Sequence, residues 1–222
     1  MILYHGSEQI LKEPKYGVGN KRNDYGQGFY LTKEKELAKE WSCEENRDGY
    51  INKYEIDIEG LKVLNLNSKE YNILHWLALL INNRIFASTS VLMDDAKRYI
   101  LSNFLIDISS YDIVIGYRAD DSYFSFAKDF LSNTISLEKL REAMTLGELG
   151  EQVFIKSKEA FERIKFIKEE KVDSKIYYVK KKNRDNKARE KYFRNRMNIL
   201  DGLYVLDIIR EGMTSDDKRL YL

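Results

Sequence analysis

Cysteine, proline and histidine are nearly absent from this sequence, which holds one, one and two of them in 222 residues. With Cys43 alone no disulfide can close within the chain, and a reducing, cytoplasmic setting is expected. With Pro14 alone no proline-rich linker marks a domain boundary. An excess of one charge is missing too, since 37 Lys and Arg stand against 36 Asp and Glu. A net charge of +1 argues against a protein-wide attraction to nucleic acid or membrane, while leaving local patches open. Long apolar runs are also lacking. The longest, Ile73 to Ile81, is interrupted by His75 and too short to span a bilayer. No basic start followed by a continuous apolar segment opens the chain, so neither a signal peptide nor a membrane segment is expected.

Apolar and aromatic residues are plentiful. At 43% apolar, with 16 Tyr and 10 Phe, the chain has enough for a substantial core rich in rings. The pattern predicts a strand over Ile2 to Tyr4, a mobile loop over Lys15 to Asp24, and a short apolar strand Phe29-Tyr30-Leu31. Thr32 is placed to cap a helix over Lys33 to Ser42, on which Leu37, Ala38 and Trp41 share a face. Tyr54 to Ile58 and Leu61 to Leu66 read as a hairpin around Glu59-Gly60. Helices are expected over Glu70 to Arg84, around Met93 to Asn103, over Tyr123 to Leu131, from a Ser136 cap to Met144, and over Lys158 to Ile167. Tyr111 to Gly116 and Glu151 to Ile155 read as buried strands, the first stopped by its glycine. Strands and helices intermix without regular alternation, which favours a mixed, largely antiparallel α+β domain over residues 1–170.

The remainder, 171–222, reads as a basic, mostly helical extension that packs on the core or on a partner. From Lys180 to Arg196 there are nine Lys or Arg and two Asp or Glu, a solvated helix whose Tyr192 and Phe193 leave a nucleic-acid or partner face open. Ile199 to Met213 is an apolar, helix-compatible segment that must pack on something.

Three pieces carry candidate chemistry. His5-Gly6-Ser7 at the end of the first strand offers a ring, a bare backbone and a hydroxyl, or is an ordinary Gly-Ser turn. Gly26-Gln-Gly28-Phe-Tyr30 leads toward Trp41, and Glu151-Gln152 opens a late strand. The pair Asp120-Asp121 suits a metal or, more simply, the cap of the helix that follows, and no metal site is expected. His75 reads as a packed helix residue rather than a catalyst.

Taken together, these blocks resemble the ADP-ribosyltransferase superfamily, on the side of the poly-ADP-ribose polymerases and diphtheria-type toxins. More narrowly they are similar to a bacterial DUF3990-like group. The blocks are Tyr-His-Gly-Ser, Gly-x-Gly-Phe-Tyr-Leu-Thr, Asp-Ile-Val-Ile-Gly with Ala-Asp-Asp, and a late strand opening with glutamine, in that order across residues 2 to about 167. The resemblance implies a split antiparallel sheet, NAD as the bound substrate, and transfer of ADP-ribose with release of nicotinamide. It assigns His5 to the nicotinamide ribose and the Gly6 backbone to the nicotinamide amide, with Ser7 as a secondary contact. It stacks Tyr30 and Trp41 on the nicotinamide ring, with the small Ala38 leaving room one turn before Trp41. Its catalytic glutamate falls on Glu151 or Gln152; they point to opposite faces of a strand, and Gln152 is preferred. An uncharged amide there implies slow transfer, other chemistry or none, since losing one preorganised electrostatic group costs about 10²–10³ in rate. Leu149 and Gly150 precede the pair, so an arginine acceptor is not implied. The implied partners are a protein or nucleic-acid acceptor and, by analogy with toxins and phage-defence effectors, an antitoxin.

Overall fold

The computed structural model describes residues 1–119, 121–145, 150–196 and 202–221. In chain order it begins β1 (Ile2–Ser7), β2 (Phe29–Leu31), α1 (Lys35–Ser42), β3 (Gly49–Ile56) and β4 (Val63–Asn65). Next come α2 (Ile73–Asn83), α3 (Val91–Phe104), β5 (Ile113–Tyr117), α4 (Asp121–Leu131) and α5 (Leu137–Thr145). The chain closes with β6 (Glu151–Ile155), α6 (Lys158–Glu162), β7 (Ile164–Val172), α7 (Ser174–Arg196), α8 (Val205–Arg210) and a 3₁₀ turn at Lys218–Tyr221. The class is α+β.

The strands form two sheets. One has the order β1-β3-β7 and is antiparallel throughout. The other has the order β2-β6-β5-β4, antiparallel except for the parallel pair of β4 with β5. Among the described residues one bridge joins them. Tyr4 N–H donates to Thr32 C=O at 2.8 Å, and Thr32 N–H donates back to Tyr4 C=O at 2.9 Å. Leu3, Leu31, Tyr54, Ile113, Val153 and Ile155 from both sheets pack into one cluster behind this joint.

The larger core lies on the helical side and is built around α2, whose residues Ile73 to Ile81 are all buried. A helix apolar all round is a core helix, so no one-sided stripe marks it. His75 is buried in it, and its Nδ1 accepts the Asn72 N–H at 3.1 Å while the Asn72 side chain accepts from Leu74 N–H, closing the helix start. The C-terminal residues join the same cluster through Tyr192, Val205, Ile208, Met213 and Leu220.

Several expectations are corrected. β1 runs on to Ser7, so His5 and Gly6 lie inside a strand paired with Asn52 and Ile51 rather than at its end. Thr32 caps no helix: its backbone makes the bridge to Tyr4, its hydroxyl accepts the Glu34 N–H, and α1 starts at Lys35. β3 and β4 are in different sheets, so the turn at Glu59-Gly60 connects sheets instead of closing a hairpin. β5 continues through Gly116 to Tyr117. The helix expected to reach Ile167 ends at Glu162, and Ile164 onward pairs with β3. Asp120 and residues 197–201 lie outside the described residues, as do the side chains of Asp121 and Ser122.

Candidate functional site

Beyond the Tyr4–Thr32 bridge β1 and β2 part, and a cleft of about 710 Å³ opens beside them. That size falls within the roughly 300–1,000 Å³ typical of small-molecule sites. His5, Gly6, Tyr30, Trp41 and Gln152 all line it. The loop from Leu11 to Asn23 forms part of its wall, held by Leu11 N–H on Asn52 Oδ1 and by Gln27 Nε2 on the carbonyls of Gly17 and Gly19.

Gly6 owes its identity to packing. A Cβ there would sit 2.0 Å from the Ala38 carbonyl oxygen and 2.8 Å from Ser42 N, so α1 rests directly on this strand. Ala38 is fully buried against β1 beside Cys43 and Ile51 and does not line the cleft; its small size serves that packing, which corrects its expected place beside the ring. The same strand leaves backbone free. Residues of an antiparallel strand direct their hydrogen-bonding groups alternately toward the partner and away from it. Tyr4 turns its N–H and C=O away from β3, toward Thr32, so Gly6 two residues on points both of its groups the same way, toward the cleft side.

His5 packs on Phe29 with ring centroids 4.5 Å apart, and its Nδ1 lies 2.7 Å from the Tyr30 carbonyl oxygen. A carbonyl only accepts, so Nδ1 carries the proton and a neutral ring keeps Nε2 as an acceptor. Burial is the main cause that lowers the His5 pKa; the bond to Tyr30 opposes it and the nearby Arg118 adds to it. Tyr30 is locked at its hydroxyl, which donates to Gly26 C=O at 2.6 Å and accepts the Tyr25 N–H at 3.1 Å. Its ring leans on Phe154 at 4.8 Å, and burial pushes the phenol pKa up. Trp41 lies across the cleft lining with the Arg118 guanidinium 4.0 Å over its ring, and its buried indole N–H has no hydrogen-bond partner among the described residues.

Gln152 and Glu151 part company. Gln152 is buried, and its Nε2 donates to Asp24 Oδ2 and to the Tyr117 carbonyl, each at 3.0 Å. Glu151 stands outside the cleft lining, paired with Lys33 at 3.3 Å and with Asn67 Nδ2 at 2.8 Å on the exposed side. Ser7 is also outside the lining: it donates to Gln9 C=O and accepts from Asn52 Nδ2.

Sequence reasoning missed the most connected group in the site. Asp24 is buried, and its carboxylate accepts from Arg84 Nη1 at 3.1 Å, Ala119 N–H at 2.9 Å and Gln152 Nε2. Arg84, just after the end of α2, also donates to the Ala119 carbonyl. Lys15, Arg118 and Lys181 add positive charge to the lining, against Glu13 and Asp24. A carboxylate opening the double-glycine turn was the available signal, though nothing local ties residue 24 to 84, 119 or 152.

The molecule is thus an α+β protein of two joined sheets with a mixed-charge cleft at their parting. The chain belongs to the family described as Protein of unknown function (DUF3990), whose family model matches residues 1–166. No curated protein and no solved structure matches it. Among the described residues no helix is long and apolar enough to cross a membrane, and no three of His, Cys, Asp and Glu gather to hold a metal.

Proposed function

We propose that this protein is an NAD-dependent ADP-ribosyltransferase acting on a protein or nucleic-acid acceptor. The observation that carries the reading is the convergence of His5, Gly6, Tyr30, Trp41 and Gln152, from four separate stretches, on one cleft. Gly6 offers an N–H and a C=O side by side, which suits the C=O and NH₂ of a carboxamide. The neutral His5 ring offers Nε2 to a ribose hydroxyl. In the reaction the bond from ribose to nicotinamide breaks, and nicotinamide leaves with the electron pair. The cationic ribose that develops is then attacked by an acceptor nucleophile, which gives up its proton to solvent water. Such a transition state is stabilised by nearby acceptors, and Gln152 is the group at hand.

A second reading is favoured by two specific observations. Gln152 brings no charge of its own, and one face of the Trp41 ring already carries Arg118, which lines the same cleft. The same cleft then binds the dinucleotide without turning it over.

Labelled NAD separates the two. Nicotinamide release on adding cell lysate as acceptor supports the transferase; saturable binding without release supports the binding protein. Neither binding nor release sinks both.

A further inference from the structure

Acceptors set the environment of Gln152, and the Tyr25 hydroxyl, whose proton goes to the same Tyr117 carbonyl, lies against its side chain as well. An amide NH₂ has two protons, and here they meet Asp24 Oδ2 and the Tyr117 carbonyl oxygen, both at 3.0 Å. Turning the amide over would set its oxygen against a carboxylate and a carbonyl, so the chemistry of the neighbours fixes its orientation. Both N–H groups are spent. Oε1 has no hydrogen bond within the described residues and is not among the sealed, unpartnered atoms, so it is left to the cleft that Gln152 lines.

We infer that Asp24 is a positioning residue that makes Gln152 an acceptor-only group, presented through Oε1 to a hydroxyl donor of the ligand, and that Asp24 is why a glutamine rather than a glutamate stands at this place. A glutamate here would press one carboxylate on another, and two such groups share a proton rather than both ionise. Asp24 is itself fixed, because Arg84 and the Ala119 N–H occupy its other lone pairs and Arg84 is anchored again on the Ala119 carbonyl. The ligand hydroxyl is a ribose hydroxyl where the transferase reading holds, and only that part rests on it.

The test uses the full chain and three variants: Gln152→Glu, Asp24→Asn and the two combined. The ligand-free thermal midpoint is followed from pH 4 to 8, and nicotinamide release is followed with NAD as the probe. In Gln152→Glu the new carboxyl has a raised pKa in the folded state. Its stability is therefore held below the unfolded value of about 4.3 and lost as pH rises through the folded one. The midpoint of this variant should fall across that window relative to the unaltered chain. The same change made beside Asp24→Asn should show a clearly smaller fall, because an asparagine donates where the aspartate cannot, while burial and the Tyr117 carbonyl remain. Turnover should follow suit: Gln152→Glu beside Asp24→Asn should release nicotinamide about 10²-fold faster than Gln152→Glu alone, because only the unopposed carboxylate supplies its charge to the developing cation. A pH slope equal in the two backgrounds, or none in either, overturns the pairing. A measurement on the unaltered chain covers the case in which Gln152→Glu does not fold: both side-chain amide protons of Gln152 should exchange slowly with solvent, and fast exchange of either overturns the inference. If slope and rescue are present while no NAD is bound or cleaved, the positioning stands and the transferase reading falls. Nicotinamide release without slope or rescue gives the reverse.

Discussion

The two walls of the cleft are built by opposite means. The β1 wall is local: His5 and Gly6 are adjacent, one strand sets the outward turn of the backbone, and α1 presses on it from behind. The facing wall is assembled from distant pieces, with Asp24, Arg84, Tyr117, Ala119 and Gln152 joined by hydrogen bonds across more than a hundred residues of chain. The first wall depends on what is left out, a side chain at position 6. The second depends on every donor finding its acceptor. They should therefore fail differently: one by steric excess, the other by loss of a partner.

The largest expected effect is on the assembled wall. Asp24→Ala strands Arg84, the Ala119 N–H and one Gln152 proton together, and the loss should be about 3 kcal/mol in denaturant unfolding. A loss below about 1 kcal/mol would mean that the cluster forms without its centre. Gly6→Ala comes next, since the added methyl meets backbone carbonyl rather than a flexible side chain; about 1–3 kcal/mol is expected, with nicotinamide release or NAD binding weakened as α1 is pushed off β1. An unchanged unfolding curve there would break the contrast between the walls.

A gentler probe is pH. Burial lowers the His5 pKa, so the unfolded chain takes up a proton at a higher pH than the folded one. The stability tied to the neutral ring is complete above the unfolded value of about 6.5 and is lost as pH falls from there through the folded value. His5→Asn should flatten that part of the stability–pH curve. His75, lowered chiefly by burial as well, should keep its own share of the slope. The smallest effect belongs to Glu151→Ala, which removes an exposed pair with Lys33 worth about 0.2–1 kcal/mol and should leave nicotinamide release at the wild-type rate.

What the sequence made legible follows the same division. Short-range facts were available from pattern alone: the apolar run at Phe29 to Leu31, the strand at Glu151 to Ile155, and the opposite facing of Glu151 and Gln152 that period two dictates. The strand pairing was not. β3 and β4 look like a hairpin because an alternating pattern reports burial and not which neighbour supplies it. Ile164 to Ile167 reads as the end of the helix that starts at Lys158, and only pairing with β3 makes it the start of a strand that runs to Val172. Ala38 had a plausible local role, yet it is buried with Cys43, Ile51 and Val172, and its backbone carbonyl is what holds position 6, thirty-two residues away, to glycine. Asp24 had no role at all until its partners were brought to it.

The joint between the sheets has a consequence of another kind. Tyr4 and Thr32 are tied through main-chain atoms only, N–H to C=O in both directions. Such a stitch is indifferent to which side chains the two residues carry, and it sits at the point from which the cleft spreads. Lining residues other than Gly6 and the Asp24–Arg84–Gln152 cluster can therefore be exchanged one by one while the angle between the walls is kept. Over evolutionary time, what the cleft accepts is free to drift on a hinge that substitution cannot easily cut.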